Sequence, residues 1–85
     1  MYESELSNNS KKFLKKCDDD TYQRVIDKIN ELKKEPFLQG CKMVEGRKEK
    51  TFRVRVGRYR ILYCVFQELN KILISDIDKR PHVYN

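Results

Sequence analysis

The stretch "FRVRVGRYRILY", residues 52–63, decides the fold of this 85-residue chain. It carries four arginines among twelve residues, and they alternate with apolar side chains. Alternation of this kind marks β-strands, because successive side chains point to opposite faces. Gly57 interrupts the pattern, and a two-residue Gly57–Arg58 turn makes the stretch a β-hairpin. The turn sets the register. Val56 pairs with Tyr59, Val54 with Ile61, and Phe52 with Tyr63, so these six residues share one apolar face. The opposite face sets Arg55 against Arg60 and Arg53 against Leu62, with Cys64 and Phe66 continuing it. Like charges facing each other across a sheet repel, so this face calls for a counter-charge or an anionic partner.

Residues outside the hairpin supply cover for its apolar face. "YESEL", residues 2–6, alternates like a short strand, and Ser7 offers a helix cap. Phe13, Leu14 and Cys17 follow at helical spacing in a short helix. Residues 18–36 form the strongest helical segment. Aspartates stand at its start, Tyr22, Val25, Ile26, Ile29 and Leu32 make a stripe, Lys33 and Lys34 suit the negative end, and Pro36 stops it. Two helices joined so tightly predict an antiparallel pair with the stripe on a sheet. "KMVEG" opens a short strand at Lys42–Glu45, and "KILISDI", residues 71–77, is a strand after a reversal at Glu68–Asn70. The expected fold is a single α+β domain over residues 1–85, in the order β-α-α-β-β-β. A small antiparallel sheet carries a two-helix hairpin on one face, and the other face meets solvent or a partner.

Charge narrows the function. The net charge is +6. Arg47, Lys48, Lys50, Arg53, Arg55, Arg58 and Arg60 stand against Glu49 alone within residues 47–63, while basic and acidic residues cancel over the rest. A localised positive patch is the footprint of a nucleic acid or of an acidic protein segment. Arginine forks suit phosphate, since each bonds two oxygens at once. No apolar run approaches a membrane span, and the acidic, polar start does not read as a secretory signal. Cys17, Cys41 and Cys64 are odd in number and lie far apart, which points to reduced thiols in a cytoplasmic protein. With His82 as the one further good ligand, no metal site is expected. The tail "DKRPHVYN" gathers Arg80, His82 and Tyr84. A last strand lying beside the second hairpin strand brings this tail toward the arginines.

These motifs resemble the RelE/ParE toxin superfamily, the RelE branch in particular. The resemblance rests on "GRKEKTFRVRVGRYRILY", the following "ILISDI" and the closing "KRPHVY", and it spans nearly the whole chain. Its most specific pieces are V-G-x-Y-R-x-x-Y at Val56–Tyr63 and the R-x-x-V-Y ending. The resemblance implies the toxin of a type II toxin–antitoxin pair. Its RelE-like members are metal-independent, ribosome-dependent endoribonucleases that cut mRNA in the A site by attack of a 2′-hydroxyl on the adjacent phosphate. No cofactor is implied. The implied partners are a RelB-like antitoxin, in a hetero-oligomer, and the ribosome with its mRNA. By position the resemblance assigns Arg55, Arg60 and Arg80 to binding and transition-state stabilisation, and Tyr84 to base stacking or 2′-hydroxyl activation. Arg47, Lys48, Lys50, Arg53 and Arg58 are read as RNA-binding. The family often has lysine where Arg53 and Arg55 stand here. Arginine keeps its proton at physiological pH, so proton transfer falls to Tyr84 or His82; some related toxins use a histidine in this region. Two alternatives stay open: a non-catalytic, ParE-like inhibitor of DNA gyrase on the same fold, and a nucleic-acid-binding module without catalysis.

Overall fold

The computed structural model describes residues 1–79. The chain runs β1 (Glu3–Leu6), α1 (Asn8–Lys16), α2 (Asp19–Lys34), β2 (Lys42–Val44), β3 (Thr51–Val56), β4 (Tyr59–Phe66) and β5 (Lys71–Lys79), with a 3₁₀ turn at Gln67–Leu69. The caps are those expected from the sequence. The Ser7 hydroxyl accepts the Ser10 N–H at 3.1 Å, and the Asp18 carboxylate accepts the Thr21 N–H at 2.8 Å. The helix stripe is narrower than expected. Val25, Ile29 and Leu32 are buried, whereas Tyr22 is 45% exposed.

The hairpin register is the one the turn dictates: Val56 opposite Tyr59, Arg55 opposite Arg60, Val54 opposite Ile61, Arg53 opposite Leu62, Phe52 opposite Tyr63. Gly57 has φ +57°, a positive value at the first turn position alone, as in a type II′ turn. The strand order is β1-β5-β4-β3-β2. Strands β2 to β5 pair antiparallel, but β1 lies parallel to β5 at the edge. The sheet is therefore mixed rather than antiparallel throughout. The cause is the crossover: after β1 the chain passes through both helices, so its last strand returns beside the first in the same direction.

One core lies between the helices and the sheet. Val25, Ile29 and Leu32 of α2 pack with Val54, Val56, Ile61, Tyr63, Ile72, Ile74 and Ile77, and Phe13 and Leu14 of α1 close its side. The inward isoleucines of β5 break strict alternation, since Ile72 and Ile74 share a parity that Ile77 does not. A β-bulge resolves this. Tyr63 pairs with Ile74 and Leu62 with Asp76, which leaves Ser75 as the extra residue. The bulge is tied to the start of α1. The Ser7 hydroxyl donates to the Ser75 carbonyl at 2.7 Å, and the Ser10 hydroxyl, fully buried, donates to the Ile74 carbonyl at 3.0 Å. The Ile74 carbonyl also accepts the Ser7 N–H at 2.9 Å, so it stays partnered without Ser10. Ser10→Ala is accordingly expected to cost about 1 kcal/mol, the net worth of one hydrogen bond, measured by chemical denaturation.

Candidate nucleic-acid interface

The sheet face turned away from the helices carries the candidate site. Parity along β3 and β4 sends Arg53, Arg55, Arg60, Leu62 and Cys64 to this face. Arg55 is exposed, while Arg53 and Arg60 are half-buried. The face is not bare. Leu62 and Cys64 are 1% and 6% exposed although they lie outside the helix-side core. Thr51, also buried, sets its hydroxyl 3.5 Å from the Cys64 sulfur.

Residues 47–63 offer only Glu49 as a counter-charge, but a distant strand supplies another. Asp78 of β5 stands opposite Arg60, and Asp76 opposite Leu62. The Arg60 Nε donates to Asp78 Oδ1 at 2.7 Å and its Nη2 to Oδ2 at 3.2 Å. This two-pronged bond to the carboxylate holds the Arg60 guanidinium further toward its charged form. A guanidinium has five N–H donors, so the pair leaves about three free and fixes the plane in which they point. Arg53 and Arg55 have no carboxylate within ion-pair distance among the described residues.

The bulge sets this pairing. Counting back along regular strands from Phe66 opposite Lys71 would put Ile77 against Arg60. The extra Ser75 moves Asp78 there and keeps Ile77 against Ile61 in the core.

The other basic residues singled out in the sequence spread around the domain. Arg47, Lys48 and Lys50 are exposed in the loop between β2 and β3. Lys50 lines a cavity of about 430 Å³ with Phe37, Phe52, Val65, Phe66 and Leu69. Arg58, in the hairpin turn, lines a cleft with Asp18, Asp20 and Arg24. Arg80, His82 and Tyr84 lie outside the described residues. β5 is described as far as Lys79, which stands opposite Tyr59 at the hairpin turn. Two lysines not singled out in the sequence join Arg53 and Arg55: Lys28 of α2 and Lys42 of β2 line a cleft of about 300 Å³ with them. Lys42 is opposite Arg53 in the β2–β3 register, so the short "KMV" strand was the signal for it. Nothing local marked Lys28, which also reaches Glu31 at 3.4 Å.

A family model described as the ParE toxin of type II toxin–antitoxin systems matches residues 5–84. The chain belongs to this ParE toxin family. That family match places it in the wider RelE/ParE toxin superfamily, and the fold agrees. It is similar to the archaeal RelE–RelB complex from Pyrococcus horikoshii, with TM-score 0.84, 23% identity, and 96% of this chain and 98% of that chain covered. It is also similar to the isolated RelE toxin of E. coli, with TM-score 0.81, 16% identity, and 98% and 88% covered. The RelBE2 toxin–antitoxin complex from Mycobacterium tuberculosis matches with TM-score 0.79, 26% identity, and 93% and 98% covered. No curated protein matches the sequence. As a ParE-family member, the chain is a toxin of the toxin–antitoxin type, and the arginine face belongs to a toxin scaffold. Among the described residues no helix is long and apolar enough to cross a membrane.

Proposed function

We propose that this toxin is a metal-independent, ribosome-dependent endoribonuclease that cuts mRNA in the A site and so stops translation in the cytoplasm. One observation carries the reading: three arginines share a sheet face, and one of them has its fork braced by a carboxylate. Cleavage by 2′-hydroxyl attack develops extra negative charge on the scissile phosphate, and fixed guanidinium donors stabilise that charge. Arg55 and Arg60 take this role with Arg80, while Arg53 grips the strand and Arg47, Lys48, Lys50 and Arg58 extend the contact. A base for the 2′-hydroxyl and an acid for the 5′-oxygen are still required. Arginine is a poor proton carrier, so Tyr84 or His82 moves the proton. A RelB-like antitoxin covers the toxin in a hetero-oligomer when it is neutralised. RelB partners stand in several of the similar structures.

A second reading has its own support, since the matching family model is that of ParE toxins. In that reading the protein inhibits DNA gyrase without cleaving RNA. Two assays separate them. Primer extension after a brief expression pulse is expected to map mRNA ends at a fixed codon position, dependent on translation. A supercoiling assay is expected to leave gyrase active. Gyrase inhibition with intact mRNA reverses the assignment. Arg80→Ala and Tyr84→Phe are each expected to abolish cutting in the first assay while the circular dichroism spectrum stays unchanged. Full cleavage by both variants removes the tail from the site.

A further inference from the structure

Helix α1 carries a second cationic surface that the arginine face does not explain. Its nine residues, "NNSKKFLKK", hold four lysines and no acid. At about 100° per residue, Lys11, Lys12, Lys15 and Lys16 fall within a single arc of roughly 140°. Ser10, Phe13, Leu14 and Cys17 occupy the opposite arc. Ser10 is buried, the other three are half-buried, and Phe13 packs edge-on to Tyr59 with ring centroids 5.0 Å apart. All four lysines are exposed, and none is within ion-pair distance of a carboxylate among the described residues.

Lys11/Lys15 and Lys12/Lys16 are like-charge pairs four residues apart, an arrangement that weakens a helix. The last-turn position of Lys15 and Lys16 suits the helix dipole, but Lys11 and Lys12 gain nothing from it. α2 is built the other way. There Arg24 pairs with Asp20 at 3.2 Å, Lys28 with Glu31 at 3.4 Å, and Gln23 bonds Asp27 at 2.9 Å. The same domain balances the charges of one helix and leaves those of the other bare. Lys12 and Lys16 also border a cavity of about 440 Å³ between α1 and the end of the sheet, lined in addition by Asn9, Phe13, Tyr59 and Asp76. Among the described lining residues Asp76 is the one acid, and it stands opposite Leu62 of β4.

We propose that the lysine arc of α1 is a docking surface for the sugar–phosphate backbone of duplex RNA, separate from the arginine face. The ribosome as the source of that duplex rests on the function proposed above. Residue type favours this division. Lysine is a point charge on a flexible stem and tolerates phosphates at variable positions, whereas the arginine fork demands a set geometry. Duplex RNA is recognised largely through its shape and its backbone, and an arc without apolar side chains or acids fits such a partner better than it fits a protein groove. Lysines one helical turn apart rise about 6 Å along the axis, so several phosphates of one strand can be met together.

The test compares wild type with the quadruple variant K11Q/K12Q/K15Q/K16Q and with R53Q/R55Q. The probe is a fluorescent RNA duplex of about twenty base pairs, titrated at several KCl concentrations. Each lost phosphate contact should lower the slope of log K against log salt by about 0.9, the value for duplex DNA. The lysine variant is expected to lose about two to four units of slope on the duplex. It should keep most of its affinity for single-stranded RNA, where R53Q/R55Q loses more. Its thermal midpoint should equal or exceed that of wild type, because repulsion within α1 is relieved. An unchanged duplex slope overturns the proposal. So does unchanged duplex binding with weakened binding to the neutralising antitoxin, which would make the arc a protein surface. The duplex assay needs no cleavage, so absence of mRNA cutting by wild type defeats the enzymatic reading alone.

Discussion

Replacing Arg60 by alanine is expected to lower mRNA cleavage on translating ribosomes by about 10²–10³-fold, the usual cost of removing one preorganised donor from a developing oxyanion. The reason is geometric. Arg60 is the arginine of the face whose orientation is set before substrate arrives, through two bonds to Asp78 at 2.7 and 3.2 Å. Its side chain is 26% exposed and that of Asp78 34%, so water competes only in part for the pair. A fork held in this way need not reorganise as charge builds on the phosphate. Arg60→Lys keeps the charge but loses the fork and is expected to fall between wild type and alanine. Asp78→Asn keeps Arg60 but loosens its orientation, and a smaller loss follows. Single-turnover cleavage with saturating toxin measures all three. Wild-type rates for Arg60→Ala would place phosphate stabilisation elsewhere on the domain.

Tyr63→Ala is expected to remove about 3–5 kcal/mol of folding stability, as for other large aromatic truncations in cores. For so small a domain that is a large share of the total, since native stability is about 5–15 kcal/mol. Tyr63 is fully buried at the centre of β4. It ends an aromatic chain in which Phe37 meets Phe52 edge-on at 5.3 Å and Phe52 meets Tyr63 at 5.9 Å. Its hydroxyl donates to the Pro36 carbonyl at 2.6 Å, fastening the segment after α2 to the sheet. Burial keeps the phenol protonated far above the ordinary tyrosine range, so this bond persists through alkaline conditions that ionise exposed tyrosines. Tyr63→Phe keeps the ring and loses only the bond, at an expected cost of about 1–2 kcal/mol. Urea denaturation followed by circular dichroism distinguishes the two. Equal losses for both variants would mean that the hydrogen bond, not the packing, holds the segment.

How much could be read without the structure differs sharply between the hairpin and its surroundings. A two-residue turn leaves one register, so "FRVRVGRYRILY" by itself determined which residues enter the core and which arginines share the outer face. The caps at Ser7 and Asp18 and the end of α2 before Pro36 were likewise local matters, decided within a few residues. Only the tertiary structure decided the rest. It set β1 parallel beside β5, because a strand's neighbour depends on where the helical crossover returns the chain. It gave Arg60 a carboxylate partner eighteen residues away, through a bulge at Ser75 that no period-two count anticipates. It brought Lys28 to the arginines and left the lysines of α1 without an ion-pair partner among the described residues. Local sequence governs the pairs that short turns impose. Long-range charge pairing depends on how strands from distant parts of the chain align, and that alignment is an outcome of packing the whole core.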